Sequence, residues 1–326
     1  MTVLVTGGAG YIGSHTTYAL LDCGEDVVVL DNLSTGVRSL VGERAYFVEG
    51  NVADQTLVAR LIRERGIDAV IHFAGSIVVP ESVAQPLAYY ANNVVASRAL
   101  IETCVQESVK QFIFSSTATV YTEDAPQPLA ENAPKAPISP YARSKLMTEW
   151  MLEDSSRAYD FRYVVLRYFN VAGADPKGRT GQSTSKATHL IKRACQVALG
   201  RIPHLDVFGT DYPTPDGTGV RDYIHVTDLA AAHLLALDAL RAGAASTSYN
   251  CGYGRGRSVR QVIAGMGSVL GHALPVKEGP RRPGDPPTLI CDPTKLKTAL
   301  NWRPVHDDLE EIIGSALEWE RRFNIG

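Results

Sequence analysis

The sequence predicts an α/β protein with a doubly wound parallel sheet and a smaller, partly interleaved α/β domain. Two observations predict the sheet. Apolar runs alternate with amphipathic stretches from Val3 to Tyr168, and one run, Asp68 to Gly75, is almost continuously apolar, as in strands that helices cover on both faces. A third observation predicts the smaller domain. Beyond Asn170 the alternation fails, and polar segments with glycine and proline begin.

The first thirty residues indicate a strand, a glycine-rich turn, a helix and a second strand. The apolar runs Val3 to Val5 and Val27 to Leu30 are the strands, and the turn carries three glycines at three-residue spacing, Gly7, Gly10 and Gly13. In such a unit the first glycine allows the sharp turn, the second leaves room for a pyrophosphate and the third lets the helix pack closely. The helix beginning near Tyr11 would direct free N–H groups at the phosphates. The unit predicts a Rossmann-like dinucleotide-binding domain.

Asp31 ends the second strand, 18 residues beyond Gly13. A carboxylate at this place accepts hydrogen bonds from ribose hydroxyls and repels a 2′-phosphate. The sequence therefore predicts NAD, rather than NADP, as the cofactor.

The alternation continues along the chain. The further strands and helices predicted before Asn170 are strands at Ala45–Gly50, Asp68–Gly75, Gln111–Ser115 and Tyr163–Tyr168, and helices at Gln55–Arg65, Ala88–Ser108 and Tyr141–Tyr159. A strand at Tyr223–Val226 and a helix at Asp228–Leu240 are expected to return to the sheet. The predicted boundaries are 1–170 for the cofactor domain, with a return segment near 221–241, and 171–326 for the substrate domain.

The composition is that of a protein that works on small molecules. The 326 residues are 45% apolar and carry a dispersed net charge of −3, so no basic surface for nucleic acid or anionic lipid is expected. The five cysteines are isolated and have neither zinc-site nor disulfide spacing, which predicts a reducing compartment and no metal. No apolar stretch approaches the length of about 18 residues that suggests a membrane span, and no signal peptide is recognisable. We expect a cytoplasmic protein with neither nucleic-acid nor membrane partners.

A second pattern places reactive groups on the helix after the fifth strand. Tyr141 and Lys145 are four residues apart, so a helix puts the phenol and the ammonium on one face. Thr117 lies just past the strand end, where reactive groups gather in an open parallel sheet. Lys145 and a positive cofactor ring together would lower the pKa of Tyr141 from about 10 and make it a base, with Thr117 bonded to the same oxygen. The alternative is an ordinary helix start with a surface lysine.

Several motifs now show a resemblance. The chain resembles the extended short-chain dehydrogenase/reductases in TGGAGYIG, Asp31, SSTATVY, SPYARSK and LRYFN. Within that superfamily, the chain is similar to the UDP-galactose 4-epimerases (UDP-glucose 4-epimerases) in three stretches, Phe208 to Ala230, RRPGD and LNWRP. The resemblance runs from Val3 to about Trp319. It implies interconversion of UDP-galactose and UDP-glucose by inversion at sugar carbon 4, through a transient 4-keto sugar and with tightly bound NAD.

The resemblance also implies roles for particular residues. Tyr141 would take the proton from the 4-hydroxyl, Lys145 would also hold the nicotinamide ribose, and Thr117 would align the hydroxyl. The residues implied at the cofactor are Gly7, Gly10, Tyr11, Ile12, Gly13, Asp31, Asn32, Asn51, Val52, Phe73, Ala74, Gly75, Asn92, Ser115, Tyr141, Lys145 and Tyr168. Those implied at the UDP-sugar are Thr117, Tyr141, Phe169, Asn170, His189, Leu190, Arg221, Arg282, Asp285 and Leu289.

Some of these roles have alternatives. Two arginines suit a diphosphate through forked, charge-assisted contacts, but Arg221 and Arg282 could each form a domain-bridging ion pair instead. Asp285 either contacts the uridine ribose or pairs with Arg282. Asp222 and His225 are expected to be structural.

The chain departs from the family pattern at four positions. Asn51 replaces an aspartate at the adenine, Ile77 replaces a lysine near the cofactor, and His189 replaces an asparagine. Leu289 stands where other members carry tyrosine or cysteine, which leaves the use of N-acetylhexosamines open.

Three functions are alternatives to the interconversion of UDP-galactose and UDP-glucose. A sugar-nucleotide 4,6-dehydratase needs an acid pair directly after the threonine, where this chain has Ala118 and Thr119. A UDP-pentose 4-epimerase would use the same residues and stays open. A non-catalytic NAD-binding sensor is disfavoured because Tyr141 and Lys145 are intact. The resemblance further implies a homodimer formed through helices at about Ala88–Ser108 and Lys145–Arg157.

Overall fold

The structure is a computed structural model that describes residues 1–184, 188–282 and 285–323. The chain divides into two compact units. Unit 1 comprises Met1–Thr122, Pro134–Arg167 and Ala230–Tyr249, and unit 2 comprises Glu123–Ala133, Tyr168–Leu229 and the described part of Asn250–Gly326. The chain returns to unit 1 at Ala230 rather than near residue 221, because the strand at Val220–His225 pairs with other strands of unit 2.

The strands and helices are numbered here in chain order. The strands are β1 (Thr2–Thr6), β2 (Asp26–Asp31), β3 (Tyr46–Glu49), β4 (Ile67–His72), β5 (Gln111–Thr117), β6 (Arg162–Tyr168), β7 (Asn170–Ala172), β8 (Leu205–Phe208), β9 (Val220–His225), β10 (Thr247–Cys251), β11 (Gly256–Ser258), β12 (Val276–Gly279) and β13 (Thr288–Leu289). The helices are α1 (Tyr11–Asp22), α2 (Gln55–Arg65), α3 (Val79–Ala84), α4 (Pro86–Tyr89), α5 (Ala96–Gln106), α6 (Pro140–Ala158), α7 (Leu190–Ala198), α8 (Val226–Arg241), α9 (Val259–Leu270), α10 (Thr294–Leu300) and α11 (Leu309–Arg322). A π-helical segment, Tyr90–Val95, joins α4 to α5.

The main sheet has the doubly wound order expected from the sequence. Its strands run β10-β6-β5-β4-β1-β2-β3. Strand β1 pairs in parallel with both β2 and β4, β2 with β3, and β4 with β5. The chain order therefore reverses between β1 and β4, and ligands of such sheets bind at that switch point, beyond the carboxyl ends of the strands. The predicted Rossmann-like fold is confirmed.

Buried apolar strands form the core of unit 1. Val3, Leu4 and Val5 of β1 are fully buried, as expected for a strand covered on both faces. Helix α2 turns one face to this core, and its ends are defined by the Asp54 carboxylate, which caps Leu57 N–H, and by a left-handed residue, Gly66. These end signals explain why the predicted bounds of α2 match the observed ones.

Unit 2 contains a small mixed sheet and a group of helices. Strand β9 is its central strand, paired in parallel with β7 and β13 and antiparallel with β11. Helix α9 begins with a capping box, in which Ser258 and Gln261 satisfy each other's backbone N–H groups. This sheet places Arg221 on β9 beside Leu289 on β13, two residues predicted to face the substrate.

Two further features concern membrane-spanning helices and the state of the cysteines. Among the described residues, no helix combines the length and the apolar character that crossing a bilayer requires. All five cysteines are free thiols, and apart from the exposed Cys23 they are buried. The buried thiols fill apolar space, as predicted from their isolated positions.

We expect Phe112→Ala to lower the free energy of unfolding by about 3–5 kcal/mol, because it empties a fully buried site in the core. The Phe112 ring packs against His72 and Phe161, with ring centroids 5.9 and 5.7 Å away. Urea denaturation at a fixed NAD concentration measures the change. The control is Tyr159→Ala at an exposed position, expected to change stability by less than about 0.5 kcal/mol. Equal effects of the two substitutions would contradict the packing argument.

Candidate functional site

The glycine turn after β1 has the geometry of a phosphate cradle. Gly7 has φ +70°, and a Cβ there would lie 2.6 Å from the Ala74 nitrogen. A Cβ on Gly13 would lie 2.2 Å from the Gly7 carbonyl oxygen, so the helix could not approach the turn with any larger residue. Gly10, which precedes α1, has no side chain to cover the free N–H groups of the first helical turn. The turn thus requires glycine for the reasons predicted.

The cradle has open space and N–H donors that suit the pyrophosphate of NAD. Within the described part of the chain, a Cβ on Gly10 would meet the Gly7 carbonyl oxygen at 3.2 Å and no other atom within 4 Å. The space beside the N-terminus of α1 is therefore open to a ligand group. Tyr11 and Ile12 form the first helical turn, whose N–H groups and positive dipole end suit a pyrophosphate.

Asp31 shapes the loop at the end of β2. Its carboxylate oxygens accept hydrogen bonds from Ala9 N–H at 2.9 Å and Leu33 N–H at 2.8 Å. Burial raises the pKa of Asp31, although these two bonds oppose the rise. Each oxygen keeps further lone-pair capacity for the ribose hydroxyls predicted there.

The loop after β4 lies close to the predicted catalytic lysine. Phe73 N–H bonds to Thr6 C=O at 3.0 Å and continues the sheet into the loop, and Ala74 contacts Gly7 as described above. A Cβ on Gly75 would be 3.8 Å from Lys145 Nζ and 3.0 Å from the Asn93 side-chain oxygen. The structure therefore brings the cofactor loop and the helix that carries Lys145 together.

Tyr141, Lys145 and Thr117 meet where β5 ends and α6 begins. Ser139 caps α6 by accepting from Ala142 N–H, so the first turn of the helix holds Tyr141 next to Thr117, whose hydroxyl bonds to the phenol. Lys145 is buried, its Nζ donates to the Ser115 carbonyl oxygen at 2.8 Å, and it lies 4.9 Å from the centre of a phenyl ring. Tyr141 and Lys145 thus lie on one face of α6, against the end of β5 that carries Thr117.

The protonation of this trio differs from the expectation in one respect. Burial raises the pKa of Tyr141 to about 12, and the bond to Thr117 opposes the rise only in part. Burial also lowers the pKa of Lys145 to about 8, against the attraction of the Glu149 carboxylate. Desolvation thus exceeds the opposing effect of the Thr117 bond on the phenol. A phenolate near neutral pH therefore needs the second cation, the positive nicotinamide ring.

The remaining predicted cofactor residues occupy varied environments. Asn32 is exposed and accepts from Ser34 N–H, and Asn51 is exposed and accepts from Ala53 N–H at 2.9 Å. Val52 is buried in the core. Asn92 donates to the Ser76 hydroxyl at 2.9 Å. Their cofactor roles stay predictions, and Asn51 and Val52 have structural roles as well.

In unit 2, Arg282 and Asp285 form an ion pair. Arg282 Nε donates to an Asp285 oxygen at 2.8 Å, so the internal pairing foreseen as an alternative is present. The guanidinium also lies 4.9 Å from the centre of the Phe208 ring, which is 40% exposed. Phe208 is absent from the predicted site residues, although it begins the stretch Phe208 to Ala230 that is similar to the UDP-galactose 4-epimerases. Its exposed ring beside a cation offers a flat surface for a nucleobase.

Arg221 lies on β9 beside the edge strand β13. Its Nη1 donates to Val220 C=O at 2.9 Å, and burial lowers its pKa. Leu289 is its register partner on β13 and is partly buried. A largely desolvated guanidinium held by carbonyl groups is well placed to bind an anion strongly.

One further predicted cofactor residue, Tyr168, and several predicted substrate residues also lie in unit 2. Tyr168 and Phe169 are buried at the end of β6, and Asn170 begins β7 opposite Tyr223 of β9. His189 is exposed and directly precedes Leu190, the first residue of α7. No contact in the described residues tests their predicted ligand roles.

Asp222 and His225 have the structural roles expected of them. Asp222 accepts hydrogen bonds from the N–H groups of Tyr253, Gly254 and Cys291, and burial raises its pKa to about 6. His225 Nδ1 accepts from Thr227 N–H at 3.1 Å. These bonds fix the loops around β9.

One buried asparagine was missed as a site residue. Asn93, in the π-helical segment, accepts from Ser76 N–H at 2.7 Å and donates to Ser76 C=O and to Ser144 Oγ. It therefore links the cofactor loop to α6. Its neighbour Asn92 was assigned instead, because sequence spacing cannot show which of two adjacent asparagines a π-helical turn directs inward.

Comparison with known proteins agrees with this geometry. The NAD dependent epimerase/dehydratase family matches residues 3–252. The UDP-glucose 4-epimerase of Azospirillum brasilense is 54% identical over 319 residues, which are 98% of this chain and 92% of that protein.

Solved structures agree as well. The UDP-glucose 4-epimerase from Brucella ovis, in complex with NAD, is similar with a TM-score of 0.94 and 45% identity, covering 97% of each chain. The enzyme from Bifidobacterium longum, in complex with NAD+ and UDP, has a TM-score of 0.94 and 39% identity, covering 99% of this chain and 98% of that one. With its glycine cradle and its tyrosine–lysine pair, the chain belongs to the NAD-dependent epimerase/dehydratase family.

Proposed function

We propose that the protein interconverts UDP-galactose and UDP-glucose by inverting carbon 4 of the sugar. The observation that carries this proposal is the trio of Tyr141, Lys145 and Thr117, assembled close to the glycine cradle of a dinucleotide fold. Ala118 and Thr119 follow Thr117 in a short 3₁₀ turn and provide no acid to expel water. The residues therefore favour epimerisation over dehydration.

Each residue of the trio has a distinct task in the reaction. The Lys145 ammonium stabilises the Tyr141 phenolate, the phenolate oxygen takes the proton of the sugar 4-hydroxyl, and the Thr117 hydroxyl orients the substrate oxygen. When bound in the cradle, NAD would supply reversible hydride transfer at carbon 4. Tyr141 finally returns its proton to the 4-keto sugar's oxygen. The reaction is therefore balanced, without net oxidation.

Inversion requires the 4-keto sugar to present its other face before the hydride returns. We propose that Arg221 and Arg282 bind the diphosphate and that Phe208 stacks on the uracil ring. Asp285 then keeps Arg282 oriented, whether or not it also reaches the ribose. With its binding energy concentrated on the UDP group, the hexose is free to turn about the bonds to the diphosphate.

We further infer a homodimer built on unit 1. Leu87, Val95 and Trp150 are large apolar side chains that are 79%, 58% and 54% exposed. Leu87 lies on α4, Val95 is the last residue of the π-helical segment, and Trp150 lies on α6, which bonds to that segment through Thr148 Oγ1 and Asn93 C=O. Exposed apolar side chains on adjoining helices are typical of protein–protein interfaces, and this face includes the predicted helix pair.

The reduced, isolated cysteines suit the cytoplasmic location that we propose.

Tyr141→Phe should leave NAD bound and lower kcat for UDP-galactose by about 10²–10⁴-fold, because the ring stays and the proton acceptor is lost. Product analysis measures kcat, and release of nucleotide on denaturation measures bound NAD. Tyr90→Phe, on the π-helical segment, is the matched control. Near-wild-type turnover by Tyr141→Phe would exclude this base.

Lys145→Met should abolish most turnover yet raise stability at pH 7, because it removes a buried ammonium. The sign follows from the pKa of Lys145, which is lowered from 10.5 to about 8 in the folded protein. Below pH 8 both states carry the proton and the folded state bears the full desolvation cost. Between pH 8 and 10.5 the folded state loses the proton first, so wild type gains stability with rising pH. Urea denaturation at saturating NAD should therefore show a gain that is largest below pH 8 and shrinks towards pH 10.5. A pH-independent difference would contradict this explanation.

Trp150→Arg combined with Leu87→Arg should convert the dimer to a monomer, because two charges would be buried in the interface. Light scattering coupled to size-exclusion chromatography measures the mass. Val305→Arg, at an equally exposed apolar position of unit 2, should leave the dimer intact. A monomeric wild type, or a dimer that survives both charges, would exclude this interface.

A further inference from the structure

Three consecutive residues of β5 contact three successive turns of α6. Each contact joins a polar group near the end of the strand to one of three helix residues, which are four positions apart from one another. The pairs are Thr117 with Tyr141, Ser115 C=O with Lys145 Nζ at 2.8 Å, and Ser116 Oγ with Glu149 Oε1 at 2.6 Å. The helix face that carries the proposed base and its lysine thus continues to a carboxylate, which the proposed reaction does not use.

That carboxylate is held rigidly in the interior of unit 1. Arg167 of β6 donates to both oxygens of Glu149, with Nε at 3.0 Å and Nη2 at 2.7 Å. The two side chains are only 4% and 7% exposed. Arg167 Nη1 also donates to Tyr121 Oη at 2.7 Å. A buried, forked pair of this kind fixes the carboxylate in position and orientation.

We propose that Glu149 is a positioning residue, which Arg167 and Ser116 hold so that its charge keeps the Lys145 ammonium protonated beside Tyr141. The proposal deepens the proposed epimerase function and rests on it for the identity of the reaction. Glu149 acts through Lys145 and need not touch the substrate.

The charges around the trio support this role. Burial alone lowers the pKa of Lys145, and the Glu149 carboxylate is the group that opposes this effect. His72 on β4 also faces Lys145, but its pKa of about 3 leaves it neutral. Tyr89 on α4 faces Tyr141, and burial with the nearby Glu81 raises its pKa, so it also stays neutral. The other charged or titratable groups around Glu149 are Arg167, Lys135, Glu153, Tyr121 and Tyr163.

Glu149→Gln tests the role, since it keeps the shape and an oxygen for Ser116 but removes the charge. In the NAD-loaded protein, isotope-edited NMR of lysine side chains should show Lys145 titrating at least about 0.5 pH unit lower than in wild type. The Lys145 signal is assigned by its absence in Lys145→Met. Both limbs of the pH–kcat profile should also move to lower pH, because loss of the negative charge lowers the pKa of Tyr141 and of Lys145 alike.

Two further variants keep the test decisive. Glu153→Gln removes the same charge one turn further along α6, at an exposed position paired with Arg157, and should leave the Lys145 titration unchanged. The second variant combines Glu149→Gln with Arg167→Met, because removing both charges of a buried pair is often tolerated. The double variant should still lower the pKa of Lys145 and supplies the answer if the single variant does not fold.

The outcomes separate the two proposals. Titration of Lys145 at the wild-type pH in a folded Glu149 variant would overturn the positioning role, even if kcat falls. A loss of kcat at all pH values without movement of the limbs would assign Glu149 a purely structural role and overturn it as well. If the wild-type protein turned over no UDP-hexose, the proposed function would be excluded. The NMR titration would still show whether Glu149 raises the pKa of Lys145.

Discussion

Lys145 donates a hydrogen bond to the carbonyl oxygen of Ser115, and this contact ties helix α6 to the end of strand β5. The position of Tyr141 depends on it, because the phenol sits one turn earlier on the same helix face. The cofactor loop lies against it too, since a Cβ on Gly75 would crowd the Asn93 side-chain oxygen at 3.0 Å and would touch Lys145 Nζ at 3.8 Å. A charged group is thus fixed at the carboxyl end of a central strand, where the backbone carbonyl partly replaces its lost water.

Burial and charge oppose each other throughout this region. Desolvation alone would leave Tyr141 a neutral phenol and would weaken the hold of Lys145 on its proton. Positive charge near the phenol and negative charge near the amine each reverse the effect on one group. The fold keeps these groups buried all the same, because the electrostatic effects that catalysis needs are strong only where water is excluded. Stability is therefore lower here than an apolar core would allow, as is common at functional sites.

The sequence predicted best the features that local chemistry determines. The glycine turn requires Gly7 and Gly13 for steric reasons that can be inferred from their spacing, and α2 has clear signals at both ends. The Tyr141–Lys145 pair followed from helical periodicity together with its position at the start of the helix after the fifth strand. By contrast, the bond between Glu149 and Arg167 joins residues 18 positions apart, and no periodic pattern marks such a partner. The internal pairing of Arg282 with Asp285 was foreseen only as one of two alternatives, because residue types do not show which anion an arginine selects.

The π-helical segment between α4 and α5 allows one stretch of chain to serve two neighbours at once. Its wider turns direct the amide of Asn93 inward to the loop and to α6, while Leu87 and Val95 remain on the outer surface. Short π-helical turns inside α-helices often lie at functional sites. Here the turn carries both the inner bonds of Asn93 and part of the outer face that we propose for self-association. A substitution that alters one of these surfaces would therefore disturb the other.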